Sequence, residues 1–178
     1  MMIRDMTDAD LAAVLEVERR AFGSDTEANL TRDLLTDPSA APWLSLVALD
    51  GDRAVGHALF TAASLADNPA RASVLAPLAV VPEAQRTGIG GALMTEGLRR
   101  LTVDGVDLIF LVGHASYYPR FGFRPAGPLG FVAPIRIPPD HADAWMVWGA
   151  RPGVIDTLSG AVTWAQTFHR PEYTGGPD

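Results

Sequence analysis

The chain has 178 residues, 48% of them hydrophobic and 20% charged. That balance suits one domain with a true core and excludes intrinsic disorder. The absence of cysteine excludes disulfides, thiolate metal sites and a cysteine nucleophile. A net charge of −7 lacks the basic face that broad nucleic-acid binding needs, and leaves a neutral or cationic substrate as the compatible choice.

Met1 to Asp5 carries no basic-then-apolar leader. No uncharged apolar run reaches the roughly 18–20 residues that cross a bilayer. A cytoplasmic protein without membrane association is expected.

In chain order, Met2 to Met6 reads as a short strand. Thr7, with Asp10 three residues on, offers an N-cap for a helix over Asp8 to Ala21, with Leu11, Val14, Leu15, Glu18 and Phe22 following at helical spacing. Gly23 stops it. A second helix runs from Thr26 to Leu35, before Asp37-Pro38. Trp43 to Leu49 and Arg53 to Ala63 form a hairpin around Asp50-Gly51. Leu65 to Arg71 reads as a polar connection. Ser73 to Val81 is apolar on both faces and therefore central, with pairing interrupted at Pro77, which has no N–H to donate.

The next stretch, Gln85-Arg86-Thr87-Gly88-Ile89-Gly90-Gly91, joins that strand to a helix carrying Leu93, Leu98 and Leu101. A strand, a glycine turn and a helix N-terminus present several free N–H groups to one point, which suits phosphate oxygens. Val106 to Val112 is another buried strand. Ser116 to Phe121 is a short turn ended by Gly122. Phe131 to Ile137 and Ala144 to Gly149 read as two more strands. Residues 1–172 are read as one domain and 173–178 as a frayed tail. Helices among strands indicate an α/β fold, a mixed sheet with helices on its faces.

The glycine stretch fails two common phosphate motifs. No lysine follows the glycines as Walker A requires, and Leu93 stands where the third glycine of a dinucleotide fingerprint belongs. Asp107 has roughly the offset of that fingerprint's acidic residue, but the loop follows three earlier strands rather than the first.

What remains, Gln/Arg-x-x-Gly-x-Gly/Ala at the end of a central strand, resembles the acetyl-CoA pyrophosphate loop of the GNAT acyltransferase superfamily. Leu78-Ala79-Val80-Val81-Pro82-Glu83 resembles the strand leading into that loop. Tyr117-Tyr118-Pro119-Arg120-Phe121-Gly122-Phe123, Val55-Gly56-His57 and Ala76-Pro77-Leu78-Ala79-Val80 resemble the bacterial YhbS-like N-acetyltransferase branch. The likeness spans nearly the whole chain and is strongest from Ser73 to Phe123. It implies a mostly antiparallel sheet of about seven strands, acetyl-CoA as co-substrate without a metal, and direct acetyl transfer to a primary amine, since no cysteine is present to carry the acyl group. The acceptor could be a small molecule or a protein amine, and a homodimer fits the family's habit.

The resemblance places the pyrophosphate on the N–H groups from Arg86 to Gly91, with Gln85, Thr87, Gly88, Ile89 and Gly90 in the loop. It places pantetheine along Leu78, Ala79 and Val80. Arg86 is either a phosphate contact or a solvated arginine at a helix start. Tyr118 is the expected general acid to the CoA thiolate; Tyr117 is expected to face elsewhere, and Phe121 and Phe123 to pack. The base is open between Glu27, His114 and water. His114 stands where this branch usually has aspartate. His57 is expected to be a satisfied core or edge histidine, and Trp43, Trp145, Trp148 and Trp164 core or dimer-contact residues. His141 and His169 show no metal-ligand spacing. A catalytically weak acyl-CoA sensor of the same fold is the alternative, and Tyr118 speaks against it.

Overall fold

A computed structural model describes residues 1–174. The order is β1 (Met2–Asp5), α1 (Leu11–Phe22), α2 (Thr26–Leu35), β2 (Leu44–Asp50), β3 (Arg53–Leu65), β4 (Asn68–Val80), α3 (Ile89–Val103), β5 (Leu108–Val112), β6 (Arg124–Pro125), β7 (Phe131–Val132), β8 (Trp145–Gly149), α4 (Val154–Thr157) and β9 (Gly160–Trp164). The sheet has nine strands, with path β1-β2-β3-β4-β5-β8-β6; β9 pairs with both β3 and β7. Only β4–β5 and β7–β9 are parallel, so the sheet is mixed and mostly antiparallel. No helix among the described residues is long and apolar enough to cross a membrane.

Local chemistry explains most of the elements. Asp10 accepts the Thr7 N–H at 2.7 Å, and Gly23 takes the left-handed conformation that ends α1. The helix buries Val14, Leu15, Val17 and Glu18, while Phe22 is exposed, so the buried stripe stops one turn before the helical spacing does. Neighbouring residues of β3 separate the two faces of the sheet. On one face His57 is bonded by Glu18 of α1; on the other, a Cβ on Gly56 would lie 2.9 Å from Ile89 and Leu93 of α3. One turn further along α3, Gly97 lies directly on the Phe60 ring, so bare backbone lets α3 pack tightly on β3.

Three expectations are corrected. Leu65 to Arg71 is no loop: β3 and β4 run on to a tight turn at Ala66-Asp67, with Asp67 at φ 57°, and both strands are 13 residues long. The strand expected over Phe131 to Ile137 shrinks to Phe131–Val132, because Pro134 and Pro138 remove donors from the ladder. The final strand β9 and the short helix α4 were not foreseen. Tyr173 is anchored by a 2.6 Å bond to Asp33, and the rest of the expected frayed tail, from Gly175, lies outside the described residues.

Candidate active site

The site begins where β4 loses its neighbour. β5 pairs with β4 only from Ala72 to Val74, and the register between β3 and β4 slips between Ala58–Leu78 and Phe60–Leu75, around Pro77. Beyond that irregularity the Val81 N–H donates to the Val55 carbonyl at 3.0 Å. Strand alternation then turns the polar groups of Ala79 toward β3 and those of Leu78 and Val80 away from it, toward the gap left by β5.

The loop after β4 turns through two left-handed residues, Arg86 at φ 61° and Gly88 at φ 93°. Gly88 takes that geometry freely, whereas an arginine in it is strained. Gly88 caps α3, and its carbonyl receives the Ala92 N–H, which leaves the N–H groups of Ile89, Gly90 and Gly91 without intrahelical partners. Two loop side chains brace the turn. The Gln85 amide donates to the Val80 carbonyl at 3.0 Å, and the Thr87 hydroxyl to the Ala84 carbonyl at 2.6 Å.

Opposite this loop, the 3-10 turn Tyr118–Phe121 follows β5. A cleft of about 870 Å³ lies between them. Leu78, Val80, Gln85, Arg86, Gly88, Gly90 and Gly91 line one side, and His114, Tyr117, Tyr118, Arg120 and Phe121 the other. Among the predicted cofactor residues, Ala79, Thr87 and Ile89 do not line it: Ala79 faces β3, Thr87 turns back on Ala84, and Ile89 packs under Gly56. The described lining holds two arginines and no carboxylate on a chain of net charge −7, a balance that suits an anion.

Tyr118 packs against Gly113, where any Cβ would collide with its ring, and its ring lies edge-to-face with that of Phe123, the centroids 5.9 Å apart. Burial, reinforced by neighbouring Tyr117, pushes its phenol up to about 12, so it stays protonated through the neutral range. Its hydroxyl makes no hydrogen bond to protein among the described residues, which leaves it free for a ligand.

Tyr117 does not face elsewhere. It lines the cleft, and a methyl group placed on Gly90 would lie 3.2 Å from its hydroxyl. Arg120 stacks over the Tyr117 ring at 4.5 Å and donates to the Tyr117 carbonyl. Both residues sit inside the quoted Tyr117 to Phe123 signature. The signal that could have flagged them was a turn-forming Tyr-Pro-Arg facing a phosphate loop.

Of the base candidates, His114 lines the cleft and is exposed. Glu27 does not line it; its carboxylate accepts from Ser24 at the start of α2. Glu83, the first acid after β4, is held by Arg20 and Arg53. His57 is fully buried, between Glu18 at 2.5 Å and Ser45 at 2.8 Å. Burial raises the Glu18 carboxyl against the lowering effect of His57, and Glu18 Oε2 has no partner. Asp107, the fingerprint-offset acid, bonds Arg71 and Arg151 away from the cleft. Among the described residues no group of three or more His, Asp or Glu could hold a metal.

The family model of an acetyltransferase (GNAT) domain matches residues 2–126, the span that builds this cleft. The chain belongs to the GNAT family. It is 48% identical over 149 residues to the uncharacterized N-acetyltransferase YjhQ of Escherichia coli strain K12, covering 82% of this chain and 81% of that one. The crystal structure of the GNAT-family YhbS from Escherichia coli in complex with CoA superposes with a TM-score of 0.86 at 28% identity, covering 95% of this chain and 92% of that one. A GNAT-family acetyltransferase from Brucella melitensis in complex with acetyl-CoA gives a TM-score of 0.74 at 27% identity, covering 94% and 97%. The GNAT fold extends through the C-terminal third, beyond the residues matched by the family model.

Proposed function

We propose that this protein moves the acetyl group of acetyl-CoA directly to a primary amine. The observation that carries the reading is the convergence, in one cleft, of an open β4 edge, a bare α3 N-terminus and a protonated phenol. Each matches one requirement of the reaction: a channel for an amide-bearing arm, a site for pyrophosphate, and a donor for the leaving sulfur. The CoA and acetyl-CoA complexes of the two solved relatives support the choice of donor.

In this reading the N–H groups of Ile89, Gly90 and Gly91 hold the pyrophosphate, with Arg86 and Arg120 adding charge. The outward polar groups of Leu78 and Val80 hold the pantetheine amides; Gln85 must then share or yield the Val80 carbonyl. The amine nitrogen attacks the thioester carbon and the carbon–sulfur bond breaks. Tyr118 hydrogen-bonds and protonates the departing sulfur, and its own proton is replaced from water. The proton lost by the amine goes to His114, the titratable base lining the cleft.

Calorimetric titration with CoA, ATP and NAD tests the donor. CoA is expected to bind most tightly, and preference for either of the others overturns the reading. Tyr118→Phe is expected to lower kcat by about 100-fold or more while leaving CoA affinity unchanged. An unchanged kcat removes Tyr118 as the acid.

A further inference from the structure

A second cavity lies beside the cleft, further back along β4 and β5. It encloses about 150 Å³, and its walls include Ala76, Val112, Ile135, Trp164, Phe168 and Tyr173. Its position follows the diverging strands. β4 and β5 part after Val74 and Phe110; Ala76 and Val112 line this pocket, and two residues further on Leu78 and His114 line the cleft. Two residues of strand span about 7 Å, so a group held in the pocket reaches the cleft through the gap between the strands.

The pocket is built rather than incidental. Trp164 is fixed by pairing with Ala63 and by the Trp145 and Phe168 rings, at 6.0 and 5.1 Å. Phe168 rides on a turn whose Thr167 gives both its N–H and its hydroxyl to Asp37. Tyr173 commits its hydroxyl to Asp33, so it offers the pocket its ring. The Trp164 indole N–H is buried without an acceptor.

We propose that this pocket receives the acceptor, and that the acceptor is a monoamine carrying an apolar group about the size of a benzene ring. This inference rests on the acetyltransferase reading. The size follows from the volume, since an apolar protein cavity of about 150 Å³ accommodates benzene. The charge follows from the walls: every described lining residue is uncharged, which suits an apolar group better than a second ammonium. The acidic net charge of the chain therefore does not define the acceptor; it lies elsewhere on the surface.

The test measures acetyl-CoA affinity by calorimetry and acetyl transfer, by thiol release, to phenethylamine, n-propylamine, spermidine and kanamycin. Phenethylamine is expected to exceed each of the others in kcat/KM by about tenfold or more. Ile135→Trp, which fills the pocket, is expected to raise the phenethylamine KM by about tenfold with acetyl-CoA affinity unchanged; Thr174→Trp, on the opposite lip, serves if the first variant does not fold. If acetyl-CoA binds but spermidine or kanamycin is preferred, no amine of the panel is acetylated, or the filled pocket changes nothing, the acceptor inference is overturned and the donor reading survives. Failure to bind acetyl-CoA overturns both.

Discussion

The two sides of the β4–β5 gap are built differently. The donor side is made of backbone within one stretch of chain. Ile89, Gly90 and Gly91 leave N–H groups without intrahelical partners, Pro77 marks the interruption of the β4 ladder, and Tyr118 rests on Gly113. The side facing α2 is made of side chains fastened across more than a hundred residues of sequence. Asp33 holds Arg170 and Tyr173, and Asp37 holds Thr167. The difference teaches which side a lineage can alter. On the proposed function, donor recognition depends on bare backbone that few substitutions leave intact, whereas the aromatic walls can be exchanged while the two aspartates keep the frame.

The sharpest way to break this contrast is Gly113→Ala. The new methyl drives the Tyr118 ring off its shelf, so kcat should fall by about 100-fold, the same order as Tyr118→Phe. Overpacking should cost about 1–3 kcal/mol of stability, which Tyr118→Phe should not. In the double variant the two kcat losses should not add, because both act through one hydroxyl. Additive losses in the double-mutant cycle would separate Gly113 from Tyr118.

The same difference in construction decides what could be read from sequence. The donor side was legible because its residues are contiguous and their types are forced: a glycine where φ is 93°, an apolar strand, an aromatic turn. Even there, Tyr117 and Arg120 were missed, since a turn residue's direction depends on the register of β5 against β8. Glu18 stood at a core spacing of α1, yet only the fold brings it to His57, 39 residues away. Asp37 read only as the residue before Pro38 at the end of α2, and Asp33 carried no signal at all. Their partners lie 130 residues or more downstream, which no local pattern records. The strand β9 has only five residues, and partners in β3 and β7 rather than an intrinsic pattern hold it extended.

Asp37→Asn probes the frame of the α2-facing side with a smaller effect. Burial opposes ionisation of Asp37, but bonds from Ser39 and Thr167 outweigh it and hold its pKa down at about 2. A carboxyl lowered in the folded state contributes stability that is complete above its unfolded value of about 3.9 and is lost as pH falls through about 2. The variant should be less stable by about 1–2 kcal/mol at neutral pH. Chemical denaturation curves of the two proteins should converge as pH drops across that window. With Phe168 loosened, the phenethylamine KM should rise while CoA affinity holds. A loss of CoA affinity instead would show that the two sides are not separable.

Arg86→Gly should have the smallest effect on the fold, and in the opposite direction. Arg86 is exposed and sits at φ 61°, a conformation that glycine adopts without steric cost. Relief of that strain, less the extra chain entropy of glycine, should stabilise the protein by about 0.5 kcal/mol, a rise in Tm of about 1–2 °C. If the guanidinium serves the pyrophosphate, CoA affinity should fall by about tenfold in the same variant, and the deficit should shrink as salt is raised. Stability and affinity would then move apart at one residue, as expected where backbone strain is kept for function. If the variant gains stability and binds CoA undiminished, the backbone N–H groups of α3 and Arg120 suffice for the phosphates, and Arg86 is a solvated side chain on a strained turn.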